Sequence, residues 1–497
     1  MRIENPILRG FYPDPSVCRV GDLYVLANST FEYLPGIPIH VSRDLEHWEL
    51  AGHALSAAAG LPFATARDSG GLYAPTIRFH DGVFYVACTF IGDGRTDNFY
   101  VTARDLAGPW SPPVILADAR GIDPTIFFHE GRVWWAGCRE VEGGAYAGET
   151  EIWLRELDLE RGELVGDEHV IWRAALRGAV WSEGPHLYAR DGWIYLLTAE
   201  GGTESDHSVM IARSRQVTGP YQGDPRNPVL THRHLGSEAA VQMVGHADLF
   251  DDGDGGWWAV ALGTRPILGH HILGRETHLV GIVWEDGWPV FNPGVGRLDL
   301  PVPRPSTAGS DFPRISDFIA VRSAPGEFAT DGERGVILRS TGRGPGSPDV
   351  VARLLLRLSS TDCIVSFALR ELESDARVGL VIRQSEAFSL RLELTLTTAS
   401  AVVRLIERRV SDTVVSEVEV PADRLDRIRF DVELTGTSAR WSASMPGRNP
   451  VPVGSSPLDA LSTEVAGGFV GATIGVYLAG PEGATAVLES WSQNDRS

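Results

Sequence analysis

Hydrophobic and polar residues follow the same order five times within the first 265 residues of this 497-residue chain. Each copy opens on a small or polar residue, alternates through a short segment, turns at a glycine, and returns through aromatic and β-branched residues. That order predicts a β-hairpin. The copies begin at Asp14, Ala74, Asp123, Glu183 and His246.

A second, looser pattern follows each copy and has the form of a strand, a turn and an outer strand. Its five segments begin at Ile39, Phe99, Ile152, Val209 and Thr277. Two hairpins that recur about every 50–60 residues are typical of the four-stranded blades of a propeller. The sequence therefore predicts an all-β protein whose residues 1–300 form a five-bladed β-propeller.

The pattern changes after residue 300. Residues 300–313 contain four prolines, which exclude a helix or a central strand and predict a semi-rigid linker over residues 301–318. Short strands with alternating hydrophobic residues follow and predict a β-sandwich over residues 319–497. The clearest of these strands are residues 390–396, 428–434 and 468–478, the last being a glycine-rich final strand. No long amphipathic helix is expected.

The charge and composition of the chain limit the classes of partner that we expect it to bind. A net charge of -21 repels phosphate backbones, so we expect no nucleic acid partner. No apolar run of about 20 residues is present, and the N-terminus leads directly into the first repeat, so we expect no membrane partner and a cytoplasmic location. A homo-oligomer is compatible with the sequence, which does not specify an oligomeric state. Scattered single cysteines are expected to be buried, reduced thiols: Cys18, Cys88, Cys138 and Cys363.

Four copies of the repeat place a titratable side chain at their opening position, namely Asp14, Asp123, Glu183 and His246. Equivalent positions of the inner strands of a propeller surround the central channel, so we expect three carboxyl groups and one imidazole to meet there. Prolines on both sides of Asp14 hold its backbone rigidly, which suits a carboxylate that deprotonates water.

The other two carboxyl groups suit complementary tasks. Glu183 follows Trp181 closely, and an aromatic wall that desolvates a carboxyl group favours its protonated form, as a general acid requires. Asp123 has the same X-Asp-Pro setting as Asp14 and, as a nearby like charge, would raise the pKa of that acid. Two carboxyl groups on either side of a glycosidic bond are the standard machinery of glycoside hydrolysis, and their separation decides whether the anomeric configuration inverts.

Several motifs that follow one another along this chain together resemble those of glycoside hydrolase family 43, in its β-xylosidase and α-L-arabinofuranosidase branch. They include F-Y-P-D-P-S, Y-A-P-T-I, G-I-D-P-T, W-S-E-G-P-H, G-H-A-D-L and L-G-R-E-T-H-L. The tail, with A-R-V-G-L-V-I-R-Q, is similar to the concanavalin-like C-terminal domain of that branch. The resemblance implies an exo-acting, inverting hydrolase that releases terminal xylose or L-arabinofuranose from short oligosaccharides without an organic cofactor.

The resemblance also implies roles for single residues. Asp14 matches the general base, Glu183 the general acid, and Asp123 the aspartate that positions the acid. Arg275 matches an arginine that binds sugar hydroxyls. His246 matches a histidine that in many members contacts a hydrated calcium ion, so a structural calcium ion held through water is expected near it. The remaining pocket positions that the resemblance implies are Phe31, Tyr73, Ala74, Ile122 and Thr203.

Two alternatives remain at this point. One is a retaining fructan or sucrose hydrolase on a similar propeller, although such proteins have Asn-Asp-Pro-Asn-Gly where this chain has Y-P-D-P-S. The other is a sugar-binding propeller without catalytic activity, which would have no need of three carboxyl groups. Tyr73 stands where members of the resembled family often have Trp, and Ile122 where some xylosidases have Phe, and both differences bear on which pentose is accepted.

Overall fold

Each of the five repeated patterns forms an antiparallel hairpin, which confirms that prediction. The computed structural model describes residues 4–55, 60–298, 313–333, 335–396, 401–421 and 427–495. Within these ranges, the part before residue 298 contains five antiparallel sheets that follow one another along the chain.

The first sheet contains β1 (Ser16–Val20), β2 (Leu23–Ala27), β4 (Gly36–Ser42) and β5 (Glu49–Leu55), with β3 (Tyr33–Leu34) outside it. The second contains β6 (Gly71–His80), β7 (Val83–Gly92), β8 (Arg95–Ala103) and β9 (Val114–Ile115). The third contains β10 (Ile122–His129), β11 (Arg132–Glu140), β12 (Thr150–Asp158) and β13 (Glu163–Trp172).

The fourth sheet contains β14 (Glu183–Arg190), β15 (Trp193–Glu200), β16 (Ser208–Ser214) and β17 (Gln222–Gly223), with β18 (Leu230–Thr231) also paired to β16. The fifth contains β19 (Gln242–Asp251), β20 (Trp257–Thr264), β21 (Arg275–Glu285) and β22 (Trp288–Phe291).

The first strands of these sheets contact one another in sequence order, and β19 of the last sheet contacts β1 of the first. The N-terminal segment strengthens this closure, because Leu8 forms an antiparallel bridge with Thr277 on β21. The Asn5 side chain also exchanges two hydrogen bonds of 2.8 Å with the backbone of Leu279 on the same strand. The chain therefore returns to its starting point at the fifth sheet.

Neighbouring sheets pack through their apolar faces. Val25 and Ile39 of the first sheet share a core with Ile77 and Val86 of the second. Successive side chains of a strand point to opposite faces of the sheet, and Leu26, next to Val25, lies in a second core shared with the fifth sheet. The first sheet is therefore apolar on both faces, which allows it to stack between two neighbours.

Polar residues from four sheets form a buried cluster, which we call the polar hub, centred on Asp248 of β19. The fully buried Asp248 carboxylate accepts hydrogen bonds from Ser16 Oγ at 2.7 Å, Arg78 Nη1 at 2.8 Å and Tyr188 Oη at 2.6 Å. These donors lie on β1, β6 and β14. Because each hub residue follows a repeat opening by only a few positions, the polar hub lies directly along the strands that carry the predicted site.

The C-terminal part forms two further sheets that enclose one apolar core. The first sheet has the order β24 (Ala329–Gly332), β25 (Gly335–Arg339), β36 (Thr485–Asp495), β27 (Cys363–Leu372), β32 (Ile428–Thr435), β33 (Ser438–Ser444) and β34 (Val451–Pro457). The second has the order β26 (Ala352–Arg357), β35 (Thr473–Ala479), β28 (Arg377–Arg383), β29 (Phe388–Leu396), β30 (Ala401–Arg409) and β31 (Ser411–Val420). The short strand β23 (Ala320–Val321) pairs with β3 and joins the two parts.

Two of the strands predicted in the sandwich form as expected, and the third differs in its bounds. The alternating residues of 390–396 and 428–434 form β29 and β32, and their apolar side chains lie in the shared core, as predicted. The strand predicted over residues 468–478 forms only from Thr473, as β35, so its predicted start is wrong, and it is not the final strand, because β36 follows it. A glycine-rich, non-alternating stretch permits a loop before the strand starts.

Other predictions concern local features. Most of the predicted linker, residues 301–312, lies outside the described residues, and Phe318 at its end is buried in the sandwich core. All four cysteines are buried, as predicted. In the described parts of the chain the only α-helix is the four-residue segment Thr463–Ala466, and no helix there is long and apolar enough to cross a membrane.

Candidate active site

The backbone turns sharply at the opening position of the inner strands. The φ angles are 51° at Asp14, 36° at Ala74, 56° at Asp123 and 45° at His246, and in the fourth sheet Gly184 has a φ of 58°. Left-handed conformations of non-glycine residues cost about 1–3 kcal/mol each and concentrate at functional sites. The strand register also shifts at this point in four of the five hairpins. These turns direct the opening side chains into one cavity.

That cavity has a volume of about 430 Å³, including its open mouth, near the lower end of the range for ligand pockets. The structure brings together all ten site residues that the sequence analysis named, and adds two others. The lining residues are Asp14, Phe31, Tyr73, Ala74, Ile122, Asp123, Glu183, Thr203, His207, His246, Arg275 and Phe469.

Asp14 is held in its ionised form by its neighbours. Its carboxylate accepts a hydrogen bond from Ser29 Oγ at 2.6 Å and from Arg275 Nη1 at 2.7 Å. Burial alone would raise the pKa of Asp14, but the Arg275 guanidinium, His246 and the Ser29 hydroxyl together hold it below its usual value. A carboxylate that stays charged in a buried cavity can accept a proton from water.

Glu183 has the opposite character. Burial raises its pKa well above the usual value, and the nearby carboxylates of Asp123 and Asp14 raise it further. Asp123 is itself displaced, because burial raises its pKa to about 6 although His246 acts in the opposite direction. Its Oδ2 atom accepts the Gly184 N–H at 3.0 Å, which ties it to the residue that follows the acid. One cavity thus holds an ionised carboxylate and a protonated one, the arrangement that general acid–base chemistry requires.

We expect Asp123→Asn to move the alkaline limb of the pH–activity profile to lower pH. The Asp123 carboxylate raises the pKa of Glu183, so its neutralisation lowers that pKa, and the protonated acid is lost at a lower pH. The measurement is kcat as a function of pH, with the exposed Asp118 changed to Asn as the matched control. An unchanged alkaline limb in Asp123→Asn would contradict the proposed role of Asp123.

Aromatic rings form one wall of the cavity. The ring of Phe31 lies 4.8 Å from that of Tyr73 and 6.0 Å from that of Phe469, measured between centroids. The Arg275 guanidinium lies 5.6 Å from the Phe31 ring and donates to the Phe469 carbonyl at 3.2 Å and to Thr203 Oγ1 at 3.3 Å. Aromatic faces with a few fixed polar donors are typical of small-ligand pockets, and they suit a sugar ring.

Sequence reasoning missed three residues of the site. Phe469 comes from the C-terminal sandwich and falls inside a segment that was predicted to be a strand. His207 is buried and donates from Nδ1 to the Met243 carbonyl at 3.0 Å, and burial lowers its pKa to about 3, so the ring is neutral. Ser29 bridges Asp14 and the backbone N–H of Ala74. None of the three lies at a repeat opening, the signal that identified the carboxyl groups and His246, and the family resemblance implies no role for any of them.

The predicted aromatic wall beside Glu183 is wrong in one respect. Trp181 is 40% exposed and is absent from the residues that line the cavity. Its φ angle of 54° turns the side chain away from the strand that follows, where it packs beside Gly148 and Gly202. The desolvation of Glu183 therefore comes from the walls of the cavity itself.

His246 packs against the backbone of Gly184, where a Cβ atom would lie 3.0 Å from its ring. Across the described residues, no group of three or more His, Cys, Asp or Glu side chains is arranged to hold a metal ion. The calcium ion expected near His246 therefore stays a prediction.

Comparisons with known proteins agree with this geometry. Residues 3–289 match the model of the family described as glycosyl hydrolases family 43, and residues 328–488 match a β-xylosidase C-terminal concanavalin A-like domain. A xylosidase/arabinosidase of Butyrivibrio fibrisolvens is 50% identical over 299 residues, which cover 59% of this chain and 57% of that protein.

Two relatives cover nearly the whole chain. A non-reducing end α-L-arabinofuranosidase of Bacteroides ovatus is 35% identical over 499 residues, or 96% of this chain and 91% of that protein. The crystal structure of a xylan β-1,4-xylosidase from Bacillus halodurans superposes with a TM-score of 0.90 at 29% identity, covering 99% of this chain and 100% of that one. The chain therefore belongs to glycosyl hydrolase family 43.

Proposed function

We propose that the protein is an exo-acting, inverting glycoside hydrolase that releases terminal xylose or L-arabinofuranose from short oligosaccharides. The observation that carries this proposal is the pairing of an ionised Asp14 with a protonated Glu183 in one small cavity. A sugar-binding protein without catalytic activity has no need to separate the pKa values of two carboxyl groups.

The reaction follows from this pair. Glu183 donates its proton to the leaving oxygen, while Asp14 removes a proton from the water that attacks the anomeric carbon from the opposite face. Asp123 keeps Glu183 protonated and is linked to it through Gly184. Arg275, with the aromatic wall, holds the terminal sugar, and the small cavity supports removal of one unit at a time.

The arrangement of the five sheets concerns the domain organisation of the protein. We infer that the five sheets are the blades of a five-bladed propeller over residues 1–300 and that the C-terminal sandwich spans residues 319–497. The contact between β19 and β1 and the bridge between Leu8 and Thr277 support a closed ring. A closed ring explains why residues from all five sheets reach one cavity.

Either sugar is supported by a relative, so the substrate is decided by a direct comparison. Hydrolysis of an aryl β-D-xyloside and an aryl α-L-arabinofuranoside should be measured on the same preparation. We expect kcat/KM for at least one of them to exceed that for aryl hexosides by orders of magnitude. Equal rates on all sugars, or no hydrolysis of either pentoside, would overturn the proposal.

We predict that the anomeric configuration inverts during hydrolysis. An aspartate base and a separate glutamate acid catalyse a single displacement, in which water attacks directly. Proton NMR of the first sugar released, recorded before mutarotation, measures the outcome. A retained configuration would make Asp14 a nucleophile and would favour the fructan-hydrolase type of mechanism.

We predict that chelation leaves hydrolysis essentially unchanged. A calcium ion held through water near His246 would have a structural role, since the carboxyl pair performs both proton transfers. Activity should be measured before and after treatment with EDTA, with the melting temperature as the control for folding. Complete loss of activity in a folded protein, restored by a divalent cation, would contradict this assignment.

Two further proposals concern the setting of the protein. Cys18, Cys88 and Cys138 are buried and form no disulfide, which supports a cytoplasmic, reducing compartment in which imported short oligosaccharides are the natural substrates. A homo-oligomer remains a proposal that the molecular mass in solution would test.

A further inference from the structure

Ser69, in the loop before β6, holds two members of the aromatic wall. Its carbonyl accepts the Tyr73 hydroxyl, and its Oγ accepts the backbone N–H of Phe469 at 2.8 Å. Tyr73 belongs to the second sheet and Phe469 to the sandwich, so Ser69 joins the two parts of the protein at the cavity. It has a φ angle of 61°, a conformation that a serine keeps only when its surroundings enforce it.

Glu32 provides part of that enforcement. It is fully buried, and its Oε2 atom accepts the backbone N–H of Ser69 at 3.0 Å. Its second oxygen, Oε1, has no hydrogen-bond partner and lies 3.6 Å from Arg383 Nη1. The main hydrogen bond of this buried carboxyl group is therefore directed to the loop that carries the wall. None of the site residues identified above contacts Ser69 N–H.

Residues of the sandwich fix the same loop from the other side. Arg383 donates to Tyr33 Oη and to Asp68 Oδ1, each at 2.6 Å, and the Glu386 N–H donates to Asp68 Oδ2 at 2.8 Å. Glu386 in turn pairs with Arg353 at 2.9 Å. We call this set the interface cluster. Because Asp68 precedes Ser69, the interface cluster and Glu32 hold adjacent residues of one loop.

We propose that Glu32 is a positioning residue that sets the aromatic wall through Ser69 and so determines the affinity of the cavity for its sugar. This inference rests on the proposed function only for the identity of the ligand. Glu32 does not line the cavity, but its hydrogen bond to Ser69 links it to Tyr73 and Phe469, which do. The same two rings also border a wider groove beside Arg67 and Glu204, so their placement shapes the entrance as well.

The protonation state of Glu32 makes its positioning role depend on pH. The charged and titratable groups that face it are Arg383 of β28, Arg322 after β23, Asp68 of the loop, Tyr33 of β3 and Tyr73 of β6. Burial raises the pKa of Glu32 to about 7, against the effect of Arg383. A carboxylate accepts the Ser69 N–H more strongly than a neutral acid does. The wall is therefore held more firmly above pH 7 than below it.

The test compares variants in the full-length protein, using whichever aryl pentoside the wild type hydrolyses. Glu32→Ala leaves the Ser69 N–H buried without an acceptor, so we expect KM to rise about tenfold with kcat changed less than KM. Glu32→Gln keeps an acceptor and should retain the wild-type KM at pH 6, with a weaker affinity than the wild type only above pH 7. Arg353→Met is the matched control, because it removes a buried ion pair with Glu386 while Arg383 still holds Asp68, and it should lower the melting temperature while leaving KM unchanged.

A second variant and a second readout keep the proposal testable if Glu32→Ala does not fold. Ser69→Gly tolerates the positive φ angle but removes the acceptor of the Phe469 N–H, and it should raise KM in the same way. Hydrogen–deuterium exchange of the peptide that contains Phe469 should increase in Glu32→Ala and in Ser69→Gly, but not in Arg353→Met. This readout needs no substrate, so it separates a failure of the positioning role from a failure of the proposed hydrolase activity. Equal increases in KM and in exchange for all three variants, or none in Ser69→Gly, would overturn the proposal.

Discussion

Asp14→Ala is expected to lower kcat/KM for every substrate by about 10²–10⁴-fold, the usual contribution of a general base. Glu183→Ala should lose as much only when the leaving group is poor. A good leaving group departs without a proton, so an activated aryl glycoside should recover most of the activity of Glu183→Ala. Such a substrate cannot restore the activity of Asp14→Ala, because the attacking water still lacks its base. The measurement is kcat/KM across a series of aryl glycosides whose leaving groups differ in pKa.

Two exposed carboxylates provide matched controls for these changes. Asp22 lies in the turn of the hairpin that begins with Asp14, and Asp191 lies in the turn of the hairpin that begins with Glu183. Their side chains are 81% and 75% exposed, so their replacement by Ala should leave kcat/KM unchanged. If Asp14→Ala were the variant recovered by a good leaving group, the roles of base and acid would have to be exchanged.

Arg275→Ala should reduce kcat/KM by about 10²–10³-fold and move the acidic limb of its pH profile to higher pH. Removal of one preorganised hydrogen-bond donor from an active site typically costs about 10²–10³-fold in rate. Arg275 is the strongest influence that lowers the pKa of Asp14 against the effect of burial. Its loss raises that pKa, so the base becomes ionised only at higher pH.

The pH dependence of kcat/KM measures this shift. Arg265→Ala is the control, because Arg265 is also largely buried and pairs with Glu276 but does not line the cavity. It should lower stability and leave the acidic limb in place. A reduced rate in Arg275→Ala with an unmoved acidic limb would show that the arginine binds the sugar without affecting Asp14.

The sequence predicts the strands and the gathering of the carboxyl groups for a common reason. The five hairpins repeat in phase, so equivalent residues such as Asp14, Asp123 and Glu183 reach one cavity once the sheets stack around an axis. The same argument fails for residues outside the repeat. Phe469 enters from a loop of the sandwich, and the glycine-rich pattern around it does not distinguish a loop from a strand.

The backbone conformation of single residues also cannot be predicted from the alternation of hydrophobic and polar positions. Trp181 lies two positions before Glu183 and would share its face in a regular strand, but its positive φ angle directs it elsewhere. Ser69 and His207 act through hydrogen bonds to backbone groups far away in sequence, and no pattern of residue types records such partners. The carboxyl groups of the site were therefore predictable from repeated positions and the sugar-binding residues from family motifs, whereas the supporting contacts were not.

The closure of the chain at the fifth sheet has a consequence for how the protein acquires activity. Asp14 and Arg275 are 261 positions apart, and their ion pair forms only when the N-terminal segment meets β21. β-Proteins with such distant contacts fold slowly, because ordering a long loop precedes the contacts that reward it. A nascent or refolding chain with all five sheets formed but the ring still open has nearly its full complement of strands, yet its buried carboxylate lacks the cation that keeps it charged. Catalytic competence is therefore a late event in folding, acquired with ring closure rather than with secondary structure.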